Sequence, residues 1–346
     1  MNAVFHGGVQ PEELRALGLD PSSVVDLSAN LHPAGPDARV LAAARTAALD
    51  RYPPADAGPL REAIARSSGL DPACVLVTPG ATAAIHLIAR ACLREGDHCA
   101  ILGPTFGEYA AAARAAGASP IEVRAMPPAF NPPIEDERIE SAALTVLCNP
   151  NNPTGRYLGR TEVGRLAARS RLLLLDVAYA DFVSDAWDAD ALVPEYPVAV
   201  VHSMTKLHAI PGLRLGYIVA APEIIARVAP LQPSWSIDAA SHAAGLVAVD
   251  QRETRQAALA ALPRTRDRIR AACEEAGWGV VPGQANFLLV HSGDGAATRL
   301  ALLQAGFAVR DCASFGLPEW VRIAVPAGAH ADALIAAITR VAEVRA

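Results

Sequence analysis

Between Cys74 and Ala220 the chain repeats one pattern that leaves few folds open to it. A short apolar run ends at turn-forming or polar residues, and most such runs are followed by a helix-like stretch. The runs are Cys74 to Val77, His98 to Leu102, Ala143 to Leu147, Leu172 to Leu175, Val198 to His202 and Leu215 to Ala220. Apolar runs of this length between turn formers read as buried strands, and their alternation with helices predicts an open α/β sheet. Sheets of that kind place ligands just beyond their strand ends, so the residues that follow each run are the candidates for chemistry.

The run Val198 to His202 leads into Ser203-Met204-Thr205-Lys206, and Lys206 is the only lysine in the chain. Every other basic residue counted with it is an arginine, which suits a solvated charge but cannot deprotonate and condense with an aldehyde. A surface lysine that survived an arginine-biased composition is the plain alternative. Its position at a strand end, with hydroxyls at Ser203 and Thr205 and a guanidinium at Arg214, assembles the groups that hold a phosphorylated aldehyde.

Other strand ends carry similar signals. Thr78-Pro79-Gly80-Ala81-Thr82 joins a strand to the apolar-periodic helix Ala83 to Arg94. Free backbone N–H groups and the positive end of the helix dipole meet there, as a phosphate requires, although any strand-to-helix connection has such a turn. Phe106 follows another strand, where a phenylalanine more often plugs the core. The stretch Cys148-Asn149-Pro150-Asn151-Asn152-Pro153-Thr154-Gly155 must turn and present amides. Asp176 ends four consecutive leucines, and a carboxylate at the rim of a buried strand needs a cationic or donor partner, which an arginine could supply.

These segments together resemble fold-type I pyridoxal-phosphate enzymes of the class I/II aminotransferase family. S-M-T-K-L-H-A-I-P-G-L-R-L-G-Y resembles the cofactor-lysine segment, N-P-N-N-P-T-G and D-V-A-Y two further signatures, and the match runs from His6 to Arg322. Within the family the chain is most similar to the threonine-phosphate decarboxylases of cobalamin assembly, and next to the histidinol-phosphate aminotransferases. The resemblance implies a large domain with a mostly parallel seven-stranded sheet and a small α/β C-terminal domain. It implies pyridoxal 5'-phosphate as cofactor, bound covalently by Lys206. Gly80, Ala81, Thr82, Ser203, Thr205 and Arg214 would surround its phosphate, Phe106 stack on its ring, and Asn152 and Tyr179 contact its phenolic oxygen. Asp176 would keep the ring nitrogen protonated.

The same resemblance assigns the substrate side. Arg322, in W-V-R-I-A-V, would hold a substrate carboxylate, and Arg310, in V-R-D-C-A-S-F-G-L, a distal phosphate. His6, Gly7 and Gly8 form an arm expected to close over the substrate, and Asn30 belongs to a loop that borders it. Tyr52, in R-Y-P, would reach the cofactor phosphate of a partner subunit, which implies a homodimer. The chain departs from the pattern in three places: His32 stands where asparagine is usual, the Arg310 to Gly316 loop is one residue shorter, and Pro326 stands near the place of an arginine.

After residue 240 the alternation gives way to a helical region from about Asp238 to Glu275, then to short strands at Asn286 to His291, Phe307 to Arg310 and Trp320 to Val325. We expect an N-terminal arm with part of the small domain over 1–45, a large domain over 46–240 and a small one over 241–346. With 52% apolar residues the chain can fill substantial cores, and a net charge of −6 predicts neither nucleic-acid nor membrane partners. Six cysteines without a CxxC pair argue against zinc and a disulfide framework, and no leader or membrane span is apparent, so a cytoplasmic protein is expected.

The reaction expected from the HGG arm and the R-D-C segment is decarboxylation of L-threonine O-3-phosphate to an aminopropanol phosphate. An aminotransferase of the histidinol-phosphate type is the first alternative. A non-catalytic effector-binding module is the second, disfavoured by the joint presence of Lys206, Asp176 and Arg322 and by the lack of a basic patch or of room for a DNA-binding segment before His6.

Overall fold

The structure, a computed structural model, describes residues 8–345. Its strands in chain order are β1 (Val25–Asp26), β2 (Val75–Thr78), β3 (His98–Gly103), β4 (Ser119–Arg124), β5 (Leu144–Cys148), β6 (Leu173–Asp176), β7 (Val198–Ser203), β8 (Gly216–Ala220), β9 (Gly279–Val280), β10 (Phe287–His291), β11 (Phe307–Ala308), β12 (Arg310–Asp311) and β13 (Trp320–Ala324). Seven of them form one sheet in the order β2-β8-β7-β6-β5-β3-β4. Neighbours from β7 to β4 pair in parallel, and β8 runs antiparallel to both β7 and β2. From β3 the chain steps outward to β4, then returns to the other side of β3 with β5 and proceeds through β6 to β7. The gap between β3 and β5 is therefore where successive connections leave in opposite directions, the crevice that ligands use in open sheets.

The apolar runs are buried on both faces because helices cover both. Leu173, Leu175, Val198 and Val200 enter one core, while Leu174, Ala199 and Val201 enter the other. All seven are fully buried. Ile85, Ile88 and Tyr109 pack on the second face from the helices Ala81–Cys92 and Glu108–Ala115, and Leu60, Ile64 and Leu166 on the first from Gly58–Ser68 and Arg160–Arg169. Each buried leucine or isoleucine contributes about 1.5–3 kcal/mol from its apolar surface.

A second sheet, antiparallel in the order β12-β13-β10-β9, has its own core around Phe287, Leu288, Ile323 and Leu334. β1 pairs in parallel with β11, Val25 opposite Phe307, so the chain's early segment is stitched to its late one. Two features depart from what the apolar pattern suggests. β4 was not marked by any apolar run: it is one of the two edge strands, half exposed, with Pro120 at a ladder position that an interior strand would not accept. The helical region is three helices, Ala239–Asp250, Arg252–Ala257 and Leu262–Glu275, the last starting with Pro263 in its first turn, where the missing N–H costs nothing. Among the described residues no helix is long and apolar enough to cross a membrane, and the six cysteines are free.

Candidate active site

The carboxyl ends of β2, β3, β5, β6 and β7 open into one cavity of about 560 Å³ that also takes in the edge of the smaller sheet. β7 delivers Ser203, and the single helical turn Met204–His208 that follows carries Thr205 and Lys206. Lys206 Nζ donates to the Ala29 carbonyl at 3.0 Å and lies 5.8 Å from the centre of the Tyr179 ring. The Lys206 carbonyl accepts the His32 backbone N–H at 3.0 Å. His32 is buried outside the cavity lining, its Nδ1 accepting from the Ala34 N–H and its Nε2 facing the Arg255 carbonyl. Burial, aided by the nearby Arg255, pushes its pKa down to about 4, so the ring is neutral. His32 thus braces the lysine turn from behind.

Beside Lys206 lies a cradle built from backbone. Gly80 is the N-cap of the helix Ala81–Cys92, which has no side-chain cap, so its first N–H groups remain for a ligand. Gly80 has φ +88°, and a Cβ there would come within 2.9 Å of Arg214 Nη2. A Cβ on Gly216 would come within 2.7 Å of the Ala81 nitrogen. Only glycines let β8, the helix start and the Arg214 guanidinium close in on one point. Ala81, Thr82, Ser203, Thr205 and Arg214 all face the cavity there. Free N–H groups, hydroxyls and a guanidinium converging on one point have the chemistry that suits a phosphate group.

Asp176 lies across the cavity at the end of β6, with its Oδ1 accepting the Ala178 N–H at 2.9 Å and its Oδ2 the Tyr109 hydroxyl at 2.8 Å. Burial raises its pKa above the ordinary carboxylate range, against the lowering effect of those two donors and of His202 and Lys206. A buried carboxylate held by donors yet still short of a cation suits a protonated ring nitrogen. Phe106, Asn152 and Tyr179 line the same space. An aldehyde-reactive amine, a phosphate cradle and a buried carboxylate in one cavity fit pyridoxal phosphate.

Tyr109 was not singled out from sequence. It stands in the first turn of the helix Glu108–Ala115, three residues after Phe106, and its ring meets Phe106 edge-on at 5.7 Å. That spacing is the signal that would have found it. Because its hydroxyl lowers the Asp176 pKa, Tyr109→Phe is expected to raise it. The acid limb of cofactor binding, followed by fluorescence titration across pH, should move to higher pH and affinity at neutral pH fall about tenfold. An acid limb identical to that of the parent would remove this role.

Another wall of the cavity is formed by the smaller sheet. β12 pairs with β13 so that Arg310 stands directly opposite Arg322, and both side chains reach the cavity. Arg322 is buried, which lowers its pKa, and it donates to the Ser28 carbonyl and to Asn152 Oδ1. With its amide oriented to satisfy both partners, Asn30 accepts from Arg322 Nε at 3.1 Å. Arg310 Nη2 donates to Ser314 Oγ at 2.9 Å. Gly8 N–H donates to Ser28 Oγ at 2.7 Å, while His6 and Gly7 lie outside the described residues. Tyr52 does not line the cavity of its own chain: it is 81% exposed and packs its ring against Trp235 at 5.0 Å.

The profile of the family "aminotransferase class I and II" matches residues 22–341. A histidinol-phosphate aminotransferase of Symbiobacterium thermophilum is 35% identical over 322 residues, covering 90% of this chain and 88% of that protein. Histidinol-phosphate aminotransferase 2 of Caulobacter vibrioides is 33% identical, covering 94% and 88%. Among solved structures, L-threonine-O-3-phosphate decarboxylase from Porphyromonas gingivalis superposes with a TM-score of 0.83 at 28% identity, covering 92% of this chain and all, 100%, of that one. The histidinol-phosphate aminotransferase from Sinorhizobium meliloti, solved with pyridoxal 5'-phosphate, has the same fold, with a TM-score of 0.86 at 23% identity over 98% and 96% of the two chains.

Proposed function

The chain belongs to the class I and II aminotransferase family and is a pyridoxal-phosphate-dependent enzyme of fold type I, and from that premise we propose that it is an aminotransferase exchanging an amino group between a phosphorylated amine of the histidinol-phosphate type and a 2-oxo dicarboxylic acid. The names of the relatives at 35% and 33% identity support this over the decarboxylation that the sequence motifs favoured. The observation that carries it is the pairing of Arg310 with Arg322. Like charges directly opposite across a ladder repel, and no carboxylate among the described residues forms an ion pair with Arg322. Arg322, buried with only neutral acceptors about it, calls for an anion, and a phosphate or a carboxylate meets the need equally well. Histidinol phosphate has no carboxylate, so its phosphate would engage the pair in one half of the exchange, and a carboxylate of the second substrate in the other.

When bound, pyridoxal phosphate supplies the aldehyde that accepts the amine and the ring that absorbs electrons. Asp176 holds the positive charge on that ring's nitrogen, with Tyr109 and the Ala178 N–H fixing the carboxylate. Lys206, braced through its carbonyl by His32, takes the proton from the substrate carbon that bears the amine. Arg322 and Arg310 hold the substrate's anionic end, and this orientation decides which bond at that carbon is cleaved.

The second reading, decarboxylation of O-phosphothreonine, draws support from the 28% identity to the decarboxylase over its whole length. Purified holoenzyme given histidinol phosphate and 2-oxoglutarate is expected to form glutamate, and given O-phosphothreonine alone to release no carbon dioxide. Gas release without amino transfer would replace the first reading by the second.

The aromatic pair of Tyr52 and Trp235, exposed on the surface of the chain, supports a homodimer in which Tyr52 completes the partner's site. Mixed, refolded Tyr52→Ala and Lys206→Ala subunits should then regain up to about a quarter of parental activity, because one site of the hybrid holds both residues. No regain would place Tyr52 outside the partner's site.

A further inference from the structure

Arg124, the last residue of the edge strand β4, reaches from the large sheet to the loop that follows Arg310. Its Nη1 donates to both carboxylate oxygens of Glu122, at 2.9 and 3.0 Å. Its Nη2 donates to the carbonyls of Phe315 and Gly316, at 3.1 Å each. These carbonyls close the 3-10 turn Ala313–Phe315, whose last acceptors have no partner within the turn, and a guanidinium is the donor suited to them. Gly316 takes φ +69°, and a Cβ there would stand only 3.0 Å from Arg124 Nη2, so the approach depends on glycine.

The turn held in this way faces the substrate. Phe315 lines the cavity, and Ser314 Oγ accepts from Arg310 Nη2. An apolar cluster of Ala125, Phe130, Cys312, Leu317 and Trp320 lies beneath and continues the contact between the 125–130 segment and the smaller sheet. Arg124 does not line the cavity, so it acts on the substrate only through the turn.

We propose that Arg124, oriented by Glu122, is the positioning residue for recognition of the substrate's distal phosphate, because it docks the 313–317 turn and thereby presents Arg310 in the geometry that grips the anion. This rests on the reading above that Arg310 contacts that phosphate.

The test compares holoenzyme carrying Arg124→Met or Arg124→Lys with the parent, using histidinol phosphate and its dephosphorylated counterpart histidinol as amino donors. For Arg124→Met, KM for histidinol phosphate should rise about tenfold or more with kcat within about twofold, while the constants for histidinol hardly move. Arg124→Lys, which can still donate to one carbonyl, should recover part of the loss. Amide exchange over residues 312–317 should accelerate about tenfold in Arg124→Met and nowhere else in the smaller sheet. Bound-cofactor absorbance equal to that of the parent establishes that each variant is folded. If Arg124→Met keeps the parental preference for the phosphorylated donor, or exchange in the turn is unchanged, the proposal is overturned. If the parent itself shows no preference for the phosphorylated donor, the reading of Arg310 fails and the proposal falls with it.

Discussion

Lys206→Ala should lower kcat/KM by at least about 10⁴-fold, the largest loss expected of any single change in this chain. No other lysine exists to take over, and the Lys206 amine alone is placed by the Ala29 carbonyl and the turn after β7. Lys206→Arg should be as inactive, since a guanidinium stays protonated and cannot condense with an aldehyde. A readout independent of turnover is the mass of the chain after borohydride treatment and denaturation: the parent should retain the mass of the cofactor and Lys206→Ala should not. The helix-start cradle and Arg214 are untouched by the change, so the variant should still bind pyridoxal phosphate reversibly. A Lys206→Ala protein with parental turnover, or a parent that retains no cofactor mass, would end the assignment.

Asp176→Asn is expected to cost about 10²–10³-fold in kcat while making the cofactor-free protein more stable at neutral pH. The two effects have one cause. Burial raises the folded-state pKa of Asp176 above its value in the unfolded chain. The stability tied to this group is therefore fully present below the ordinary carboxylate pKa and is lost as pH rises through the raised folded value. Once the pH has risen through that raised value, the cofactor-free protein carries a buried charge whose donors, the Tyr109 hydroxyl and the Ala178 N–H, only partly offset its desolvation. Asparagine keeps the shape and accepts the Ala178 N–H without that charge. Its melting temperature without cofactor should exceed the parent's by roughly 2 °C at pH 8, and the gap should close toward pH 4. Adding pyridoxal phosphate should reverse the order, because only the carboxylate gains a charged ring nitrogen. A lower melting temperature for the cofactor-free variant at pH 8, or a kcat within tenfold of the parent, would show that Asp176 has another role.

How much of the site is legible in sequence follows from where its residues stand. Lys206, Asp176, Asn152, Phe106 and the Gly80 turn each lie just past a buried apolar run, and the cavity gathers all of these strand ends. Residues whose work depends on a second element are less visible. Tyr109 looks like a core aromatic until β3 and β6 are set in one sheet, with β5 between them, and its hydroxyl meets Asp176. His32, a departure from the usual asparagine, has meaning only once its ring is seen between the Ala34 N–H and the Arg255 carbonyl, behind the lysine turn. Arg124 lies on a strand with no apolar run to announce it, 191 positions from the Phe315 carbonyl that it holds. The lean toward decarboxylation came from short motifs around the substrate, whereas relatives compared over most of the chain lean toward amino transfer.

By itself the sequence determined the class of fold, the strand ends that meet in one cavity and the lone amine placed among them. Burial periodicity, turn residues and the reactivity of a lone lysine are local properties, and a chain displays them in order. Tertiary structure alone decided that Arg310 stands opposite Arg322, that Tyr109 and not an arginine holds Asp176, and that a guanidinium on the far sheet edge donates to the turn after Arg310. Those are matters of strand pairing and of hydrogen bonds between residues far apart in the chain, and no local pattern encodes which distant donor will fill a given acceptor.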